Sequence, residues 1–170
     1  IAIAEGLKTD KKILIMTPAS LETNYKEELK KCGDKLYKKN QFWQKINTKD
    51  NPTLIEPLSF ILSLPIEFIV KQNGAWFVNI KEEPNYYKLN SDEQKELDGQ
   101  LEKMISYKYE FLRYNGIRQP KLDLLVEEAR SKGVNNNNPF SNKVIIIDEA
   151  HNFVSRIVNK LSKKNKPVSI

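Results

Sequence analysis

Cysteine and histidine each occur once in these 170 residues, and that scarcity removes whole classes of chemistry. With Cys32 alone, no internal disulfide can form and no cysteine-based zinc centre can be built, which suits a reducing, intracellular compartment. With His151 alone, Ser-His and Cys-His catalysis is excluded everywhere except beside that residue. A secretion signal, with its order of charged, apolar and small residues, is not found at the N-terminus. The most apolar stretch, Leu54 to Val70, is interrupted by Glu56, Pro57, Pro65 and Glu67, whereas a membrane span needs about twenty nearly uncharged residues. No membrane partner is expected. The chain opens on Ile1 inside an apolar run, as a piece of a longer protein would.

What is present is the composition of a soluble globular domain with a real core: 39% of residues are hydrophobic and 29% charged. The net charge of +6 favours a polyanionic partner such as nucleic acid, although surplus lysine is also common on plain soluble surfaces.

The four β-branched residues Val144, Ile145, Ile146 and Ile147 predict a short strand buried on both faces, as in a parallel sheet covered by helices. Asp148-Glu149-Ala150-His151 follows at once. Acid at the carboxyl end of such a strand lies where open α/β folds bind ligands. Magnesium prefers one or two carboxylates plus waters and phosphate oxygens, so Asp148 suits the ion and Glu149 suits the orientation or deprotonation of an attacking water. A strand that merely runs into a polar turn would carry the same letters.

Ile13-Leu14-Ile15-Met16 predicts a second strand, ending at Thr17-Pro18-Ala19-Ser20, and Leu21, Tyr25, Leu29 and Cys32 recur at helical spacing up to Gly33. Ile1 to Leu7 reads as the end of a preceding helix. The order is that of a parallel α/β unit. The Thr-Pro-Ala-Ser turn opens a helix, where free N–H groups and hydroxyls can bind phosphate; alternatively Ser20 is only an N-cap and Pro18 only a stiff turn residue. From Lys26 to Lys49 the chain is crowded with lysine, interleaved with Tyr25, Tyr37, Phe42 and Trp43. Two readings fit: a basic and aromatic grip on a single strand, or a solvated helix with its aromatics turned into the core.

Further on, Ser63 is expected to cap a short helix with Pro65 in its first turn, closed by Asn73-Gly74. Ala75 to Ile80 reads as a strand, and Ser91-Asp92-Glu93-Gln94 as a capping box before a helix whose apolar face is Leu97, Leu101, Met104 and Ile105. Tyr107 to Tyr114 predicts a strand that turns at Asn115-Gly116. Leu122, Leu125, Val126 and Ala129 predict a helix ending near Gly133, and Asn135 to Asn138 a polar loop. A closing helix with Phe153, Ile157, Val158 and Leu161 follows the acidic strand.

The Asp148-Glu149-Ala150-His151 string resembles motif II, the Walker B element, of superfamily 2 helicases and translocases in its DEAH form. The turn at Thr17-Pro18-Ala19-Ser20 resembles their motif Ia. Together with Asn24-Tyr25, residues 28–34, Gly74-Ala75-Trp76, Tyr114-Asn115-Gly116 and residues 142–153, the chain is similar over nearly its whole length to Swi2/Snf2-type helicase-like ATPases of large nucleo-cytoplasmic DNA viruses. That group in turn resembles the poxvirus early transcription factor small subunit and nucleoside triphosphatase I. The resemblance implies a partial RecA-like P-loop NTPase domain, α/β in class, with residues 1–34 and 107–170 forming the lobe and residues 35–106 an α+β insertion. It implies ATP and Mg2+ as cofactors. It further implies duplex DNA as partner, with viral RNA polymerase or transcription-factor subunits as others, in virion and host cytoplasm. Asp148 would position the metal through a water, Glu149 would act on the nucleophilic water, and His151 would link the nucleotide and nucleic-acid sites. Thr17, Pro18, Ser20, Asn115 and Gly116 would contact nucleic acid.

The departures are as informative. No G-x-x-x-x-G-K-[ST] loop is present to cradle the β- and γ-phosphates, so these residues by themselves are expected to hydrolyse no ATP. The alternative is a nucleic-acid-binding or polymerase-docking module with a vestigial ATPase motif.

Overall fold

The structure, a computed structural model, describes residues 3–4, 11–114, 119–131, 133 and 138–164, with only the backbone at 156, 157 and 160–164. It is mixed α/β, with a three-stranded parallel sheet flanked by helices and a separate antiparallel strand pair. By its contacts the chain divides into two compact units, residues 1–12 with 23–110 and residues 13–22 with 111–170.

Strand β1 (Lys12–Thr17) is buried on both faces, as its unbroken apolar run requires. It lies in the middle of the sheet, between β4 (Tyr109–Arg113) and β5 (Lys143–Ile147). In the second unit one face of this sheet is a cluster of Leu14, Met16, Leu112 and Tyr114. Leu125 of helix α5 (Gln119–Ser131), Phe140, and Phe153 of helix α6 (Ala150–Lys164) pack against it. The expectation that β5 is buried on both faces is corrected: Ile145 and Ile147 are 42% and 39% exposed. The cause is position. An outer strand has a neighbour on one side only, so a continuous apolar run signals a strand here without signalling a central one.

The first unit is built around the antiparallel pair of β2 (Phe42–Asn47) and β3 (Gly74–Asn79). It also holds residues 23–32 of helix α1 (Glu22–Cys32) and residues 91–108, which form helix α4 (Ser91–Lys108). The segment between the strands folds as helices α2 (Ile55–Leu62) and α3 (Ile66–Lys71). Ser63 does not cap the second of these; it ends the first in the left-handed region at φ 52°, and Pro65 takes the N-cap of α3. Of the two readings of the lysine-rich stretch, the inward one holds for Tyr37 and Trp43, which are buried, whereas Tyr25 and Phe42 are half-buried. Residues 42–47, however, are strand rather than helix. The capping box is shifted by one from Ser91: Asn90 accepts from the amides of Asp92 and Glu93, and Glu93 returns to the amide of Asn90. Tyr107 and Lys108 extend α4, so β4 starts only at Tyr109. Ile3 and Ala4 are helical, whereas the rest of the expected helix at residues 1–7, the Asn115-Gly116 turn and most of the asparagine loop lie outside the described residues.

Two side-chain amides close the outer edges of the strand pair. Gln100 of α4, 1% exposed, accepts from the amide of Trp76 and donates to its carbonyl, both at 2.7 Å. Asn85 does the same to Trp43, at 2.8 and 2.9 Å. Each carboxamide thus supplies the rung that a third strand would have made. Lys30, almost fully buried, is neutralised by Glu27 at 3.0 Å and by Glu102 of α4 at 3.3 Å, as a buried cation requires. Burial, reinforced by the Asp98 carboxylate, pushes the Tyr86 phenol above its ordinary pKa, so its hydroxyl stays a donor to Asp98.

Gln100→Leu, which keeps the bulk and leaves two buried backbone groups unpaired, is expected to lower the unfolding free energy by about 2–4 kcal/mol in urea titration. A loss within error of zero would mean that the amide clamp contributes nothing. The hydrogen bond from Lys30 holds the Glu27 carboxyl below its ordinary value of 4.5. The stabilisation from this shift is therefore present above pH 4.5 and fades as pH falls through the lowered folded-state value. Wild type should accordingly lose stability more steeply than Glu27→Gln as pH falls below 4.5; parallel curves would contradict the assignment.

Candidate nucleotide site at the sheet edge

In the second unit the carboxyl ends of the three parallel strands bring Thr17, Tyr114 and Asp148 together. β5 ends in a last rung in which the amide of Asp148 donates to the carbonyl of Met16 at 2.9 Å. That bond sets the carboxylate of Asp148 beside the end of β1. There its Oδ2 lies 3.5 Å from the hydroxyl of Thr17, at the outer limit of a hydrogen bond, and its Oδ1 accepts from the amide of Glu149 at 3.0 Å. An ionised carboxylate offers about four lone-pair positions, so these two contacts leave others for a hydrated cation.

Glu149 leaves the sheet in the left-handed region, at φ 50°. Its carbonyl accepts from the amide of Asn152 at 2.9 Å, which opens the first turn of α6, and from the hydroxyl of Tyr114 at 3.4 Å. Its side chain is turned outward, about half exposed, and its Oε2 lies 3.2 Å from Nδ1 of His151, which is itself mostly exposed. The two carboxylates therefore differ in setting: Asp148 is half-buried and anchored to β1, and Glu149 faces solvent beside an imidazole.

Of the residues expected at the site, the structure brings together Asp148, Glu149, His151 and Thr17. Thr17 is fully buried, with its hydroxyl directed at Asp148 rather than at solvent. What the following turn presents outward is Ser20, exposed, with Pro18 half-buried. Ser20 is not an N-cap: Pro18 takes that position before the 3-10 turn Ala19–Leu21, and no side chain caps it. The ion pair between Arg113 and Glu22, 2.6 Å, ties the end of β4 to the residue after this turn. Asn115 and Gly116 lie outside the described residues. Tyr114, which the sequence singles out only as the start of Tyr114-Asn115-Gly116, joins the site through Glu149, 35 positions away, a contact that no local pattern encodes.

Among the described residues no three of His, Cys, Asp and Glu gather as a metal-ligand set. Magnesium fits the donors nonetheless, because it keeps most of its waters and takes one or two carboxylates plus phosphate oxygens. Among the same residues no helix is long and apolar enough to cross a membrane.

Thr17→Val is expected to cost about 1 kcal/mol of stability in urea unfolding, since Asp148 is half-exposed and water can replace the lost hydroxyl. A loss above about 3 kcal/mol would show that the hydroxyl satisfies a further buried group. No family model, curated protein or solved structure matches this chain.

Proposed function

We propose that this chain is part of an ATP-hydrolysing, helicase- or translocase-like enzyme of the superfamily 2 type. In this reading it acts on duplex DNA in viral transcription, in virion and host cytoplasm, and residues 1–34 and 107–170 belong to a RecA-like nucleotide-binding lobe interrupted by an insertion at 35–106. The observation that carries the proposal is the pair of dissimilar carboxylates at the carboxyl edge of the parallel sheet, Asp148 tied to Thr17 and Glu149 projected outward on a left-handed backbone. Ligands of open α/β folds bind along that edge.

The roles follow from the two environments. Asp148, held by β1 and by the amide of Glu149, would accept hydrogen bonds from the water shell of a magnesium ion carried by ATP. Bound there, the ion would neutralise charge on the phosphate oxygens. Glu149 has the exposure and the freedom of its second oxygen to orient a water molecule and take its proton. His151, against the other side of the Glu149 carboxylate, would relate the occupancy of this site to the position of α6. Pro18 and Ser20 would meet the nucleic-acid backbone, whereas the Thr17 side chain serves Asp148.

Against the competing reading, a nucleic-acid-binding or polymerase-docking module, Tyr37 and Trp43 are buried and leave only the half-buried Tyr25 and Phe42 for stacking. Lys30, Lys31, Lys39 and Lys45, in the same basic stretch, each pair with a carboxylate of the chain itself.

Within the full-length polypeptide, Glu149→Gln is expected to lower DNA-stimulated ATP turnover by about 100-fold or more while Mg-ATP binding persists. Full turnover in that variant would remove the proposal. Ser20→Ala should weaken DNA binding with ATP affinity unchanged, and Thr17→Val should leave DNA affinity intact; filter-binding titrations at fixed salt distinguish the two.

A further inference from the structure

The exposed carboxylate of Glu149 stands on a backbone that glutamate rarely adopts. At φ 50° its Cβ crowds the following carbonyl, and such conformations persist only where the surroundings hold them. Two of the holding contacts are local: the Glu149 amide on Oδ1 of Asp148, and the Asn152 amide on the Glu149 carbonyl. The third comes from far along the chain. Tyr114, just past the end of β4, is 4% exposed and directs its hydroxyl to the same carbonyl. Its ring meets Phe153 of α6 edge-on, at 5.7 Å between centroids, and clusters with Leu14, Met16 and Leu112.

We infer that Tyr114 is a positioning residue for Glu149. It ties the end of β4 to the turn after β5 and holds the peptide that follows Glu149, so that the carboxylate keeps the direction from which it addresses the attacking water. The inference rests on the proposed role of Glu149. At 3.4 Å the bond is long for a hydroxyl and a carbonyl. It therefore restrains direction more than it contributes binding, and the packed ring keeps the oxygen in place. Because the same carbonyl opens α6, any displacement of the end of β4 is felt both by Glu149 and by the helix that carries His151.

Tyr114→Phe keeps the ring and removes only the oxygen. In the full-length polypeptide it is expected to speed amide hydrogen exchange across residues 149–152. The kcat for ATP should fall about two- to tenfold, because the carboxylate is less often aimed at the water, with KM unchanged and little change in thermal midpoint, since the bond is long. Unchanged exchange, unchanged kcat, or a kcat loss accompanied by a raised KM and a lowered midpoint would each overturn the assignment. Glu149→Gln, assayed beside it, separates the two ideas. If that variant retains turnover, the role of Glu149 falls, and the exchange rates still decide whether Tyr114 holds the turn.

Discussion

The candidate site depends on one backbone hydrogen bond, from the amide of Asp148 to the carbonyl of Met16. It is the last rung between β5 and β1, and it ends the strand at the residue whose side chain carries charge. Were the rung one residue earlier or later, alternation would turn the Asp148 side chain to the opposite face of the sheet, away from Thr17. Because it falls where it does, the next residue has to leave the sheet. The amide of Glu149 folds back on the Asp148 carboxylate, the backbone turns left-handed, and the carbonyl of Glu149 is left to open α6. A half-buried acid, an exposed acid and a helix start thus follow from one point of register.

Much of this was legible in the sequence, for physical reasons that also mark its limits. Apolar runs as dense as Ile13 to Met16 and Val144 to Ile147 have few conformations other than strand, and Leu97, Leu101, Met104 and Ile105 lie on one face at any helical register. Burial was less legible. An outer strand and a central strand can carry the same run, which is why Ile145 and Ile147 are more exposed than their letters suggest. Caps slipped by a residue where two cap-forming side chains stand together: Asn90, with its planar amide reaching two N–H groups, takes precedence over Ser91. The contacts that shape the site, Thr17 to Asp148 and Tyr114 to Glu149, span 131 and 35 positions and depend on strand order, which no local pattern encodes.

The basic stretch shows how composition misleads without partners. Its lysines read as a surface for polyanions, yet Lys30, Lys39 and Lys45 reach Glu102, Asp98 and Glu96 on α4. Within the first unit they act as ties between elements. Lys39 also lies over the ring of Tyr86, itself bonded to Asp98, so cation, phenol and carboxylate form one connected group. Net charge therefore overstates how much of this segment is free to attract a ligand.

The carboxamides of Gln100 and Asn85 have a consequence for self-association. A two-stranded ribbon ordinarily presents unpaired backbone on both sides, which invites a strand from another molecule. Here an invading strand would have to evict a buried amide on one side and a half-buried one on the other, each making two bonds to a tryptophan backbone. The two carboxamides therefore guard the ribbon against strand addition at Trp43 and Trp76.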